Sequence, residues 1–251
     1  MKRAFILALA VASCLMCACI GGSEEKTAWD VEVYGAVSNP QVLTYQQLEG
    51  LEQKEIEKQL VSGVEHYTGA SLAAVYDLVG VNDTAAYVNF IASDGYILTF
   101  TPGEIGEGIL ALEREGELLS NERGGPVMLA VGIGCACNWM KQVVAMEFMT
   151  ASEAFGIEGD VNNPIKASIR DIRDFTGKEN DFTARELFDK VASFVQAQTF
   201  LIHTDGGSHE YAMERAADVV ITYEGGEFRA AVDDTVYTGV TGIECVWDPD
   251  A

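Results

Sequence analysis

Two cysteines separated by one residue are the side chains in this sequence most suited to chemistry. Cys135 and Cys137 lie in "GIGCACNWMK", directly after an apolar run that predicts a buried strand. Thiolates bind soft metals, whereas buried thiols also serve as small apolar side chains. Three interpretations follow: the two thiols ligate a metal, they pair with each other or with Cys245, or they are apolar filler. A direct Cys135–Cys137 bridge would close a very tight ring, which disulfide geometry disfavours.

The first 29 residues indicate the cellular compartment in which these thiols lie. A short basic segment, "MKR", precedes the apolar run "AFILALAVASCLM", which is shorter than a comfortable membrane span. The following "CACIGGSEEKT" is typical of a lipoprotein signal, so residues 1–19 are predicted as signal peptide and 20–29 as tether. Cys19 is the predicted lipidation site, with Cys14 as the alternative. The remaining chain is then expected to be extracytoplasmic and attached to the membrane by its lipid.

Composition predicts a globular chain and excludes one class of partner. The 251 residues are 48% hydrophobic, and the formal net charge is −23. A surface this negative repels phosphate backbones, so nucleic-acid binding is excluded. After lipidation of Cys19 the mature chain would keep three thiols, an odd number for an exported protein: Cys135, Cys137 and Cys245.

Helix and strand signals alternate along the chain and predict an α+β fold. "LTYQQLEGL" predicts a short helix with Thr44 as its N-cap. "VEHYTG" predicts a turn that leads into a helix capped at Ser71 and stopped at Gly80. Asp94-Gly95 between two apolar runs is the strongest hairpin signal in the chain.

The pattern of the first half recurs in weaker form. Residues 30–150 are predicted as the main domain, 151–183 as a Gly- and Asn-rich linker, and 184–251 as a degenerate second α+β copy. In that copy "TARELFDKV" corresponds to "SLAAVYDLV", and Asp205-Gly206 corresponds to Asp94-Gly95.

The order of segments in the first half resembles the molybdopterin-binding domain of sulfite-oxidase-like oxidoreductases. The segments are "LTYQQL", "YTGASLAAVYDLVGV", "YVNFIASDGY", "ILALEREGELLSNERGGPVMLAV" and "NWMKQVVAMEF". The resemblance covers about residues 30–150 and implies a mixed fold with a molybdenum or tungsten pterin in a cleft. It also implies a small-molecule substrate or a redox-protein partner.

The resemblance carries over to this chain only in part. The family's metal-ligating cysteine belongs before "YTG", where this chain has Val61-Ser62-Gly63, and Met128 stands where many members have arginine. Lys141 matches a basic position of the family. The implied cofactor-binding residues are His66, Arg123, Cys135, Cys137, Asn138 and Lys141, with Cys135 and Cys137 as candidate metal ligands in place of the missing cysteine.

Three functional hypotheses remain open at this point. The first is a surface-anchored molybdopterin-binding oxidoreductase-like protein with degenerate cofactor chemistry. The second is a non-catalytic ligand- or protein-binding lipoprotein module on the same fold. The third is a metal-binding lipoprotein that uses the Cys135/Cys137 pair with His203 or His209, although a solvated loop explains these two histidines equally simply.

Overall fold

The computed structural model describes residues 28–60, 63–120, 125–132, 138–193 and 196–249. These residues form four β-sheets with short helices, which confirms the predicted α+β class. In the described ranges no helix is long and apolar enough to cross a bilayer.

The first half of the chain folds into two facing sheets. The first sheet has, in spatial order, the strands β2 (Gln41–Thr44), β1 (Asp30–Gly35), β10 (Val143–Thr150), β5 (Ala85–Ala92) and β6 (Ile97–Phe100). The facing sheet has β3 (Gln53–Leu60), β4 (Gly63–Ser71), β7 (Ile109–Arg114) and β8 (Glu117–Leu118), with β9 (Met128–Ala130) also paired to β7. The helices of this half are α1 (Tyr45–Glu49), α2 (Leu72–Val79) and α3 (Pro102–Ile105).

The second half also contains two sheets. One sheet has β12 (Ile165–Ala167), β11 (Phe155–Gly159), β19 (Val240–Val246), β14 (Thr199–Thr204) and β15 (Gly207–Ala212). The other has β13 (Phe182–Thr183), β16 (Val220–Glu224), β17 (Glu227–Val232) and β18 (Thr235–Tyr237). Its helices are α4 (Ile169–Thr176) and α5 (Ala184–Val191), followed by a 3-10 turn at Met213–Ala217.

The two five-stranded sheets share one pattern of connections. In each, the first strand of the half pairs in parallel with the last, β1 with β10 and β11 with β19. The second strand flanks the first, and a hairpin flanks the last. Each half also places a fully buried core between its two sheets, with Phe90 and Phe148 in one and Phe155 and Phe200 in the other.

Local signals in the sequence explain several element boundaries. Thr44 caps α1 with a capping box, because its hydroxyl accepts from the Gln47 N–H, as the sequence predicts. Ser71 takes the N-cap position of α2, and Gly80 ends it in the left-handed conformation that favours glycine. The β5–β6 hairpin turns at Asp94-Gly95, also as predicted.

Two segments differ from the sequence-based prediction. "VEHYTG" is not a turn but most of strand β4, which pairs with β3 on one side and β7 on the other. Residues 151–183, predicted as a linker, contribute β11, β12 and α4, whose apolar residues pack in the second core. Their glycines and asparagines fit the tight turn after β11, where Gly159 has φ +85° beside the carbonyl of Cys245.

A buried polar network joins the two halves. Asn89 on β5 donates to Asp171 Oδ2 on α4 at 2.8 Å and to the Lys166 carbonyl at 2.8 Å. Glu147 on β10 lies beside Asp171, and the two carboxyl residues are only 5% and 3% exposed. Burial and the proximity of Asp171 raise the pKa of Glu147, so it keeps a proton while it faces the second half.

Candidate functional site

Strands β3, β4 and β7 form the sheet that carries the candidate functional site. Ile56 pairs across strands with Tyr67, which pairs in turn with Arg114. Glu57 pairs with His66 one position along. Because successive side chains of a strand point to opposite faces, Tyr67 and His66 lie on opposite faces of this sheet.

The first face is basic and aromatic, and Trp139 is at its centre. The Lys58 ammonium lies 4.5 Å from the centroid of the Trp139 ring, a cation–π distance. The Tyr67 ring meets the same indole edge-on, with centroids 4.9 Å apart. The indole Nε1 donates to the Val131 carbonyl at 2.9 Å, which fixes the orientation of the ring. We call Lys58, Tyr67, Arg114, Trp139 and Lys141 the basic face.

The basic face carries three cations and one carboxylate, Glu65. The pKa of Lys58 is lowered by its burial and by the positive charges of Arg114 and Lys141, against the opposing effect of Glu65. Arg114 also forms an ion pair with Glu65, and its guanidinium lies 5.9 Å from the Tyr67 ring centroid. Three cations therefore gather on one face of a chain whose formal charge is −23.

The second face of the same sheet is acidic. His66 Nδ1 lies 3.2 Å from Glu55 Oε1 and 4.0 Å from Glu57 Oε1, and the His66 backbone N–H donates to Glu115 Oε1 at 2.6 Å. The hydrogen bond to Glu55, with the nearby carboxylates, raises the pKa of His66. Ligand atoms of Glu55, Glu57 and His66 all lie within 4.8 Å of one another, close enough for a shared cation. This surrounding negative charge is unfavourable for an anion at His66.

The structure brings together only some of the residues predicted from the sequence. Lys141 lies close enough to Lys58 to lower its pKa and so belongs to the basic face, whereas Asn138 is placed only as the residue before Trp139 in the chain. His66 lies on the opposite, acidic face. Arg123, Cys135 and Cys137 lie outside the described residues.

The sequence analysis did not single out Lys58, Arg114 or Trp139. The signal was present in "KEIEKQL", because strand alternation places Lys58 on the same face as the buried Ile56. Their convergence depends on cross-strand pairing and on Trp139, which packs from a distant segment against Tyr67 and the apolar cluster around it. Periodicity within one strand cannot reveal such contacts.

The remaining candidate ligands lie in the second half. Cys245 is fully buried in the second core. His203 pairs across the β14–β15 hairpin with Ser208, and His209 pairs with Ile202. The two histidines therefore face opposite sides of the sheet and do not converge on one metal.

Comparison with known proteins identifies the family. Residues 20–155 match the family described as oxidoreductase molybdopterin binding domain, which is more than half of the chain. The chain belongs to the oxidoreductase molybdopterin-binding domain family, as its segment order predicts. Among solved structures it is similar to the sulfane dehydrogenase SoxCD from Paracoccus pantotrophus, at 14% identity and a TM-score of 0.45, over 84% of this chain and 68% of that chain. No curated protein matches the chain.

Proposed function

We propose that this protein is a surface-anchored molybdopterin-binding oxidoreductase-like protein with altered metal chemistry. The observation that carries the proposal is the basic face, where Lys58, Arg114 and Lys141 gather beside Trp139. A phosphate-bearing pterin is anionic and aromatic, so ammonium and guanidinium groups next to an indole suit it. An anion bound here would relieve the mutual repulsion of the three cations.

The residues suit the pterin better than the metal. When bound, a molybdenum or tungsten pterin supplies two-electron oxidation–reduction. No cysteine occurs in residues 53–71, where the family places its metal-ligating thiolate. Within the described ranges the only cysteine is Cys245, buried in the other half. Cys135 or Cys137 would have to replace the thiolate, and without such a replacement the protein would be a binding module.

We further propose that the chain is lipidated at Cys19 and acts outside the cytoplasm. The support is the basic start, the short apolar run and the polar segment after Cys19. Its partners would be the membrane, through the lipid, and a small molecule or a redox protein. Metabolic labelling with a fatty-acid analogue should be lost in Cys19→Ala and kept in Cys14→Ala. Loss only in Cys14→Ala would move the anchor to the alternative site.

We also propose that the second half is a degenerate copy of the first. Support comes from backbone hydrogen bonds at matching positions, beyond the shared strand order. Ala36 N–H donates to the Phe148 carbonyl at 2.7 Å, and Asp160 N–H donates to the Cys245 carbonyl at 2.8 Å. Among the described residues of the second half, no strand takes the place of β3, which carries Lys58 in the first half.

The direct test is analysis of the purified protein from a host that makes the cofactor. We expect bound pterin, detected by fluorescence of its oxidised form, and a strong loss of it in Lys58→Ala and Lys141→Ala. Lys178→Ala is the matched control, because Lys178 pairs with Glu186 in the second half. Molybdenum or tungsten at one per chain would indicate a replacement ligand. Pterin absent from the wild-type protein would overturn the proposal in favour of a binding module, and copper or zinc alone would favour the Cys135/Cys137 site.

A further inference from the structure

In the five-stranded sheet of the second half, three side chains on the face away from the core form a continuous hydrogen-bonded chain. Ser208 Oγ lies 2.7 Å from His203 Nδ1, and His203 Nε2 lies 2.8 Å from Glu244 Oε2. The residues come from β15, β14 and β19, three neighbouring strands. A hydroxyl, an imidazole and a carboxylate in this order are the parts of an activated serine nucleophile.

The carboxylate decides which nitrogen of the imidazole carries the proton. An ionised Glu244 can only accept, so the neutral imidazole must carry its hydrogen on Nε2. Nδ1 then has its lone pair free to accept the Ser208 hydroxyl proton. The arrangement therefore places Ser208 Oγ next to a ring nitrogen that can accept its proton.

The strand register keeps the three groups in place and open to solvent. His203 pairs directly with Ser208 on one side and with Gly242 on the other. Gly242 carries no side chain that could cover His203, and the next position, Gly156, lies under the ion pair of Lys166 and Glu158. Ser208 is exposed, and His203 keeps 30% of its side-chain surface exposed. A substrate can reach the hydroxyl without any rearrangement.

We propose that Ser208 is a nucleophile for acyl transfer, with His203 as its general base and Glu244 as the residue that positions His203. Ser208 Oγ attacks the carbonyl carbon of an ester while its proton passes to His203 Nδ1. The C–O bond to the leaving group then breaks, and the departing alkoxide takes that proton and leaves as an alcohol. Water hydrolyses the acyl-serine in a second step to release the carboxylic acid.

The surrounding charge indicates the class of ester. Glu158 and Glu210 lie on the same outer face as His203, Lys166 on that face is paired with Glu158, and the whole chain is strongly acidic. Anionic esters would be repelled, so neutral or cationic esters are the expected substrates. The three groups lie on an open sheet face, which favours small esters with good leaving groups.

The test is labelling of the full chain with a neutral fluorophosphonate probe, followed by peptide mapping. We expect labelling at Ser208 that disappears in Ser208→Ala and falls at least about tenfold in His203→Gln and Glu244→Gln. Ser152→Ala is the matched control, because Ser152 is exposed and hydrogen-bonds Thr150 with no imidazole partner. Hydrolysis of 4-nitrophenyl acetate should follow the same order. Equal labelling of Ser152 and Ser208, or no labelling of Ser208, would overturn the proposal.

A second measurement separates positioning by Glu244 from a merely structural contact. The ¹⁵N chemical shifts of the His203 ring should report the Nε2–H form in the wild-type protein. Glu244→Gln should raise the population of the Nδ1–H form, because an amide can either donate or accept. An Nδ1–H form in the wild-type protein would refute the assigned roles, whatever the labelling result.

Discussion

The buried carboxyl group of Glu147 makes a quantitative prediction about stability. Burial, then repulsion from Asp171, raises its pKa from an ordinary value of 4.5 to about 9. The neighbouring Asp171 carboxylate has its own donors, since Asn89 Nδ2 and the Ser168 N–H bind its Oδ2 at 2.8 and 3.1 Å. Glu147 Oε2 has no hydrogen-bond partner. Glu147 is therefore the member of the pair that holds the proton.

This proton makes stability fall as pH rises. Above pH 4.5 the unfolded chain releases the proton, whereas the folded chain keeps it until pH approaches the raised value. Each pH unit in that window then costs about 1.4 kcal/mol of unfolding free energy. Between pH 5.5 and 7.5 the contribution of this one group is a loss of about 3 kcal/mol.

The perturbation is Glu147→Gln, which keeps the shape of the side chain and a donor toward Asp171. Urea unfolding at pH 5.5, 6.5 and 7.5, followed by tryptophan fluorescence, measures the free energy of both proteins. The stability of Glu147→Gln relative to wild type should grow by about 1.4 kcal/mol per pH unit. Repulsion among carboxylates remote from this pair is common to both proteins and cancels in the difference, whereas Asp171, whose pKa is also raised by burial, titrates together with Glu147.

The control for this measurement is a glutamate that is exposed to solvent. Glu179→Gln removes one carboxylate from a side chain that is 93% exposed, and its difference from wild type should stay nearly constant with pH. The other charged groups that act on Glu147, namely Arg170 and Asp171 on α4, are unchanged in both variants. A pH-independent difference for Glu147→Gln would mean that Glu147 is ionised in the folded protein.

Two further predictions concern the stability of the fold. Gly35→Ala and Gly159→Ala should each lower the unfolding free energy by more than about 2 kcal/mol, because both have positive φ and an added Cβ would lie 2.0 or 2.1 Å from a carbonyl oxygen of the adjacent strand. Gly225→Ala is the control, because Gly225 has positive φ but no atom within 4 Å of an added Cβ, and it should cost only about 1 kcal/mol. Urea unfolding measures all three variants, and similar costs at the three sites would contradict this reasoning. Thr183→Ala removes the hydroxyl that accepts from the Glu186 N–H at the start of α5, and it should lower the unfolding free energy by about 1 kcal/mol in the same measurement. An unchanged unfolding free energy would show that this hydrogen bond does not stabilise α5.

The sequence predicts features that depend on local chemistry. The Thr44 cap, the Gly80 helix end and the Asp94-Gly95 turn each follow from a few neighbouring residues, and the structure confirms them. "VEHYTG" misled the prediction because glycine and threonine are common in turns. Gly69 instead allows β4 and β7 to lie close together, since a Cβ there would lie 2.0 Å from the Leu110 carbonyl oxygen.

The candidate site was less predictable because its parts are distant in the sequence. Family resemblance pointed to Lys141, but Lys58 and Arg114 join it only through the register of β3, β4 and β7. The same register separates His66 from them by turning it to the other face. A one-residue difference along β4, from His66 to Tyr67, thus decides between a carboxylate-rich and a cation-rich environment.

The parallel pairing of first and last strands has a consequence for how the chain folds. Glu32 on β1 pairs with Ala145 on β10, and Ile157 on β11 pairs with Ile243 on β19. Neither half can complete its central strand pair until its last strand has been synthesised. Contacts between such distant residues make folding slow, because loop-closure entropy must be overcome first. Each half therefore remains exposed to aggregation and proteolysis for nearly the whole time that a ribosome takes to make it.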